Sequence, residues 1–125
     1  MCRENYRGVI DDQGRGVFNG KIIVHSGADQ TDAQLNNRNL LLSTAAEIDT
    51  KPELEIYTDD VKCSHGTTTG RLDTDAIFYL QARGIAEAEA RQILIGAFAR
   101  EMVSHIKVPE LEQYLENIVA QRLPG

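Results

Sequence analysis

The sequence predicts a mainly β segment followed by a small helical one, and three observations carry that expectation. Most of the ten glycines lie before residue 71. In the same stretch, short β-prone runs alternate with turn-forming residues. From residue 73 onward that punctuation thins out, and apolar residues recur at spacings of three and four. The expected division is a strand-built segment over residues 1–71 and a helical segment over 72–125.

The strand signals run in order from the N-terminus. Tyr6 to Ile10 is followed by the turn chemistry of Asp11-Asp12-Gln13-Gly14, then Val17-Phe18, then Asn19-Gly20 read as a turn, then Lys21 to His25. After Ser26-Gly27-Ala28-Asp29 a polar stretch leads to Leu40-Leu41-Leu42, and Ala46 to Thr50, Leu54 to Thr58 and Val61 to Ser64 complete the series. Alternation marks one buried face: Ile22 and Val24 alternate with Ile23 and His25, and Leu54 and Ile56 with Glu53, Glu55 and Tyr57. No helical segment separates these runs, so a parallel sheet wound from βαβ units is excluded. A sandwich, a barrel or a coiled solenoid of strands remains, and no fixed repeat length chooses among them.

The helical signals follow. Asp73-Thr74-Asp75 offers N-caps for a helix over Ala76 to Arg83, which Gly84 closes. A second helix is expected over Ala86 to Ile106, with Ala90, Ile93, Leu94, Ala97, Phe98 and Met102 as its apolar stripe. Pro109 at the first position opens a third, where Leu111, Tyr114, Leu115, Ile118, Val119 and Arg122 repeat at the same spacing. These stripes must bury against one another, against the strands, or against another chain: either a mini-bundle or a docking platform.

Charge and cysteine content bound the function. Thirteen Lys and Arg against nineteen Asp and Glu leave a net charge of −6, which argues against nucleic acid or an anionic membrane surface as partner. Leu40 to Leu42 and Ile93 to Ile95 fall far short of the roughly 20 apolar residues of a membrane span, and Met1-Cys2-Arg3-Glu4 does not open a signal peptide. Two cysteines, Cys2 and Cys63, make no disulfide framework, and Cys2 is expected in a frayed terminus. A cytoplasmic protein in a reducing compartment fits these features.

The run Gly14-Arg15-Gly16-Val17-Phe18-Asn19-Gly20-Lys21 is not a phosphate-binding loop. Arg15 stands where a Walker loop needs glycine, and Ile22 follows the lysine where Ser or Thr is required; turn glycines between strands explain the run. The chemically informative string is Asp59 to Gly66. Cys63 and His65, two apart on an extended strand, project to one face. A thiolate and an imidazole together suit zinc, iron or an iron–sulfur cluster, with Asp59 and Asp60 available to orient the imidazole. Two ligands do not close a site, so the remaining ligands would come from another chain, or the pair serves packing alone. A Cys63–His65 catalytic dyad is the weaker reading, because side-by-side neighbours on a strand are not aimed at a common substrate; no catalytic residue is assigned and the chain is not expected to be an enzyme.

Several strings, taken in order over residues 6 to about 106, resemble one family. Arg7-Gly8-Val9, Gly16-Val17-Phe18-Asn19-Gly20-Lys21, Asn39-Leu40-Leu41-Leu42-Ser43, Asp49-Thr50-Lys51-Pro52-Glu53-Leu54-Glu55-Ile56, Asp59 to Gly66, and Leu72-Asp73 with Phe78 to Ile85 look like the C-terminal part of the SufB/SufD family. The Asp-Asp-Val-Lys-Cys-Ser-His-Gly string at 59–66 is more similar to SufD than to SufB. The resemblance implies the last rungs of a right-handed parallel β-helix followed by a helical domain, in a scaffold subunit of the SufBCD complex of iron–sulfur cluster assembly. It implies a SufB-like partner through the β-helix and a SufC-like ATPase docked on the helices of residues 72–125. His65, with Cys63 beside it, would then be a ligand of a transient cluster shared with the partner, none being expected on the isolated chain. Family members are longer, so the chain is expected to be a fragment whose exposed rung edge drives homodimer formation. The competing expectation is a purely structural interaction module with no metal role.

Overall fold

A computed structural model describes residues 1–123; the last two positions of the expected helical segment, 124 and 125, lie outside the described residues. The chain divides into two compact units, Met1–Gly70 and Arg71–Gly125. The first is built of strands and the second of helices, a mainly β chain with α-helices at its C-terminal end.

The strand unit has five strands: β1 (Cys2–Ile10), β2 (Arg15–Val24), β3 (Thr31–Leu41), β4 (Glu47–Ile56) and β5 (Val61–Gly70). Every pairing is parallel. Odd-numbered strands form one sheet in the order β1-β3-β5, and β2 pairs with β4 in a second. Parallel neighbours need a long crossover, usually a helix. Here β2 is the crossover between β1 and β3, and β4 the crossover between β3 and β5, so each connection is itself a strand of the other sheet. The registers follow suit: Cys2 pairs with Ala33, Arg15 with Glu47, and Thr31 with Val61. Successive turns of the chain therefore repeat at a nearly constant interval, a regularity that no recurring motif in the sequence announces.

Side chains from both sheets meet in the interior. Along β3, Ala33, Leu35, Asn37 and Asn39 are buried while Asn36 and Arg38 are exposed, and along β2, Ile22 and Val24 turn inward while Ile23 is exposed, as the alternation predicts. Ile56, expected on the buried face of β4, is 42% exposed. Two expectations need correction. Asn19-Gly20 is no turn: both residues lie inside β2, paired with Lys51 and Pro52. Gly20 is required there by packing, because a Cβ would stand 2.8 Å from Leu35 Cδ2 and 3.0 Å from the Phe18 ring. The polar stretch before Leu40 is likewise strand. Its interior asparagines satisfy each other, Asn39 Nδ2 donating to Asn37 Oδ1 at 2.7 Å and Asn37 Nδ2 to Asn39 Oδ1 at 3.2 Å. Burial of amides is tolerated when their hydrogen bonds are made.

The helical unit contains α1 (Thr74–Ala82), α2 (Glu87–Val103) and α3 (Pro109–Arg122). The Asp73 carboxylate caps α1 by accepting from the Asp75 N–H at 2.9 Å. At its other end Gly84 has φ +91°, with Gly84 N–H donating to Gln81 O and Ile85 N–H to Leu80 O, the paired bonds of a Schellman cap. Pro109 opens α3, as its fixed φ and missing N–H favour. α2 packs against both other helices and holds the unit's buried residues, Ala90, Ile95, Gly96 and Val103. The expected α2 stripe is therefore displaced: Ile93 is 39% exposed and Ala97 is exposed. A helix flanked by two neighbours buries two sides, so a single stripe misplaces its core. No described residue of α1 or α3 is fully buried. No helix is long and apolar enough to cross a membrane among the described residues.

Candidate functional site

β5 carries the residues singled out for chemistry. The bend at Asp59 and Asp60 leads into it, and the Asp60 carbonyl accepts from the Gln30 N–H at 2.5 Å, tying this turn to the one before β3. Within β5, Cys63 pairs with Ala33 and His65 with Leu35. In-register neighbours of a parallel sheet share a face. Ala33 and Leu35 are buried, so Cys63 and His65 stand on the same inner face, two residues apart as the spacing predicts.

That inner face is open at β5, which ends its sheet. Ala33 and Leu35, in the middle strand, are 5% and 1% exposed, whereas Cys63 is half-buried and His65 exposed. Further along β5, Thr67 Oγ1 and Thr50 Oγ1 lie 3.0 Å apart, linking β5 to β4 across the interior. Thiol and imidazole thus occupy interior positions at the end of the stack, where a further layer would enclose them. Among the described residues, no three His, Cys, Asp or Glu side chains gather closely enough to hold a metal ion.

The other candidates lie elsewhere. His105 follows α2 and is exposed. His25 follows β2 and lines a cleft of about 290 Å³ with Cys2, Glu4 and Lys21. Cys2 does not fray: it opens β1 in register with Ala33. The pairing thereby puts Cys2, Ala33 and Cys63 in one row across the sheet, and Glu4, Leu35 and His65 in the next. Two strand spacings, about 10 Å in all, separate the cysteines, too far for a disulfide. Both thiols are free. The sequence signal for these rows is the nearly constant offset from one member to the next, which becomes visible only when the period of the strands is known.

Lys21, rejected as a phosphate-binding lysine, has an electrostatic role on the outer face of β2 and β4. Its ammonium lies 2.6 Å from Glu55 and 4.0 Å from Glu53. Hydrogen bonding to Glu55 raises the Lys21 pKa, and the same bond lowers that of the Glu55 carboxyl. Arg15 and Asp49 pair at 2.7 Å and Lys51 and Glu53 at 3.3 Å on the same face.

Comparison with known proteins shows which sequences the chain is similar to. The family model of the SUF system FeS cluster assembly SufBD core domain matches residues 1–98. The iron–sulfur cluster assembly protein SufD of Escherichia coli is 50% identical over 98% of the chain, which covers 29% of that protein. An iron–sulfur cluster assembly SufBD family protein of Synechocystis is 46% identical over 91% of the chain and 25% of its own length. The chloroplastic protein ABCI7 of Arabidopsis thaliana is 40% identical over 89% of the chain, which covers 23% of it. The chain thus spans less than a third of the length of these relatives.

Proposed function

The chain belongs to the SufB/SufD family, and we propose that it acts as a SufD-like, non-catalytic scaffold in iron–sulfur cluster assembly, offering His65 and Cys63 as ligands to a cluster in transit. The observation that carries the reading is the position of this pair on β5. The side chains stand on the interior face, but the sheet stops there and leaves them accessible. A thiolate and an imidazole are half of a four-ligand set. A second subunit laid against the end of the stack would supply the other half and enclose the cluster, the cargo of the reaction rather than a resident cofactor.

The fold is part of the proposal. Strands that alternate between two parallel sheets, each turn in register with the last, support a parallel β-helix, which we take to be right-handed as parallel crossovers are. The SufB-like subunit would pair at the β5 end. The helical unit would receive a SufC-like ATPase, a reading supported by aromatic side chains left outside: Phe78 and Tyr79 on α1 and Tyr114 on α3 are all more than half exposed. ATP hydrolysis would belong to that partner, and the cytoplasm to the assembly as a whole.

Reconstitution with SufB-like and SufC-like subunits tests the ligand role. His65→Ala is expected to leave assembly intact and to lower the iron and sulfide content of the complex, with Cys63→Ser lowering it less. Full cluster content in an intact His65→Ala complex would leave the chain a structural interaction module, the reading that the Thr67–Thr50 bond at the interior end of β5 favours. For the chain alone, the unpaired edge of β5 makes a homodimer the expected species; sedimentation as a monomer at high concentration would remove that expectation.

A further inference from the structure

Backbone hydrogen bonds fix which groups the two strands at the end of the stack turn outward. In a parallel ladder, successive amides of one strand face opposite neighbours. Leu42 N–H donates to the Ile10 carbonyl, so the even-numbered amides of β3 face β1 and the odd-numbered ones face β5. The β3–β5 register then turns the even-numbered amides of β5 toward β3 and sets those of Val61, Cys63, His65, Thr67 and Thr69 along the outer edge, a row without proline. β4, which ends the other sheet, differs. Glu47 N–H donates to Gly14 O and Tyr57 N–H to Val24 O, so its outward row is the even-numbered one, and Pro52 interrupts that row in the middle. The edge that a further strand can follow without a gap is that of β5.

A second copy of the chain can take that edge about a twofold axis. In antiparallel pairing, residues whose amides face the seam exchange their bonds in pairs, with Cα atoms about 5.5 Å apart, and opposite residues share a face. When the axis passes through Ser64, Cys63 stands opposite the partner's His65, and His65 opposite the partner's Cys63. Two thiols and two imidazoles then occupy the corners of a rectangle about 5.5 by 6.6 Å on the interior face. Its centre is about 4 Å from each Cα, within reach of one ion at the bond lengths of a tetrahedral zinc site. With the axis through His65 instead, about 13 Å of strand separates the thiols, and no single ion takes both. The register about Ser64 also brings no like charges together: Lys62 faces Gly66, Val61 faces Thr67, and the exposed Ser64 faces itself.

We propose that two copies of this chain pair along β5 about Ser64 and hold one zinc ion between them, each copy supplying Cys63 Sγ and a ring nitrogen of His65. The proposal rests on reading Cys63 and His65 as an open ligand pair, and adds to that reading a second copy as partner and zinc as a resident metal. Two thiolates and two imidazoles close a four-coordinate zinc site, and one chain does not hold them: among its described residues no three His, Cys, Asp or Glu side chains gather around an ion. Symmetry supplies what the single chain lacks, because an isologous contact doubles every donor it contains. The two thiol protons leave to solvent as the metal binds. Zinc in turn selects the register, since it is held by the dimer and not by either copy alone.

The test takes the full chain, reduced and metal-free, and adds zinc, with cobalt as a spectroscopic stand-in. The expected result is one zinc per two chains by native mass spectrometry and the visible spectrum of tetrahedral, thiolate-ligated cobalt. In sedimentation, the dimer dissociation constant is expected to be at least about tenfold lower with zinc than with a chelator. C63S and H65A are each expected to abolish the zinc effect, since each removes a donor from both halves. His65 is exposed, so H65A leaves the interior intact and reads the loss even where C63S fails to fold. S64C tests the register: the two substituted positions lie about 4.5 Å apart between Cα atoms, a disulfide distance, so oxidised glutathione is expected to join the copies there. One zinc per chain without a change of mass, equal dimer affinity in zinc and in chelator, an undiminished zinc effect in H65A, zinc bound only after a different subunit is added, or no cross-link in S64C would each overturn the proposal. None of these results touches the scaffold reading, which stands or falls on iron and sulfide in the reconstituted complex.

Discussion

The strand unit and the helical unit are built on one plan, with a middle element enclosed by two neighbours, but they leave different things outside. In the strand unit, β3 lies between β1 and β5 and supplies Ala33, Leu35, Asn37 and Asn39 to the interior. In the helical unit, α2 touches both α1 and α3 and supplies Ala90, Ile95, Gly96 and Val103. The flanking strands stand at the ends of this sheet, and a strand edge is directional and asks for another strand. The flanking helices satisfy their own backbone and instead expose side chains, Phe78 at 71% and Tyr114 at 62% among them. A strand edge specifies how a partner must run; an apolar helix face specifies mainly that it be covered. One chain thereby presents two kinds of contact.

The sharpest way to break this comparison is to exchange the expected costs of middle and flank. Leu35→Ala removes the most enclosed large side chain of the described interior and is expected to destabilise the strand unit by about 2–5 kcal/mol. Phe78→Ala, from an exposed flank, is expected to cost within about 0.5 kcal/mol in the isolated chain. Urea unfolding followed by probes in each unit separates the two. A Phe78→Ala loss as large as that of Leu35→Ala would mean the aromatic face is already covered.

A smaller effect comes from the interior amides. Asn39→Ala leaves Asn37 without its side-chain partner in a buried position, an expected loss of about 1–3 kcal/mol. The neighbouring exposed Asn36→Ala is expected to be near neutral. Equal melting temperatures for parent and Asn39→Ala would show that water replaces the missing amide.

The parts of this architecture that could be read from residues are those set by local chemistry. Asp73 and Gly84 mark the ends of α1, and Pro109 the start of α3, because capping is decided within one turn. Alternation placed Ile22 and Val24 inside and set Cys63 and His65 on one face. What local signals could not supply is the register between turns of the chain. Gly20 looks like a turn glycine until Leu35, from the next strand, is seen against it. Asn37 and Asn39 look like loop residues because their hydrogen-bond partners are each other, in a row visible only once β3 is known to be a strand. The ion pairs on the outer face of β2 and β4 have the same origin: Lys21 meets Glu53 and Glu55 through the pairing between successive turns of the chain.

The faintest expected effect belongs to the ion-paired outer face of β2 and β4. Glu55 titrates below the ordinary carboxylate range because Lys21 donates to it, and Lys21 titrates above the ordinary lysine range for the same reason. The carboxylate's contribution is then complete above its unfolded value and is lost as pH falls through the lowered folded value. The ammonium's is complete below its unfolded value and is lost as pH rises through the raised one. Both groups sit on an exposed face, so salt screens them and the effect on stability is small. The titration of the Glu55 side chain, followed by NMR, is the sensitive readout: Lys21→Met is expected to move it upward, and high salt to move the parent in the same direction. If Lys21→Met leaves Glu55 where it was, the ion pair that joins β2 to β4 on that face does not persist in solution.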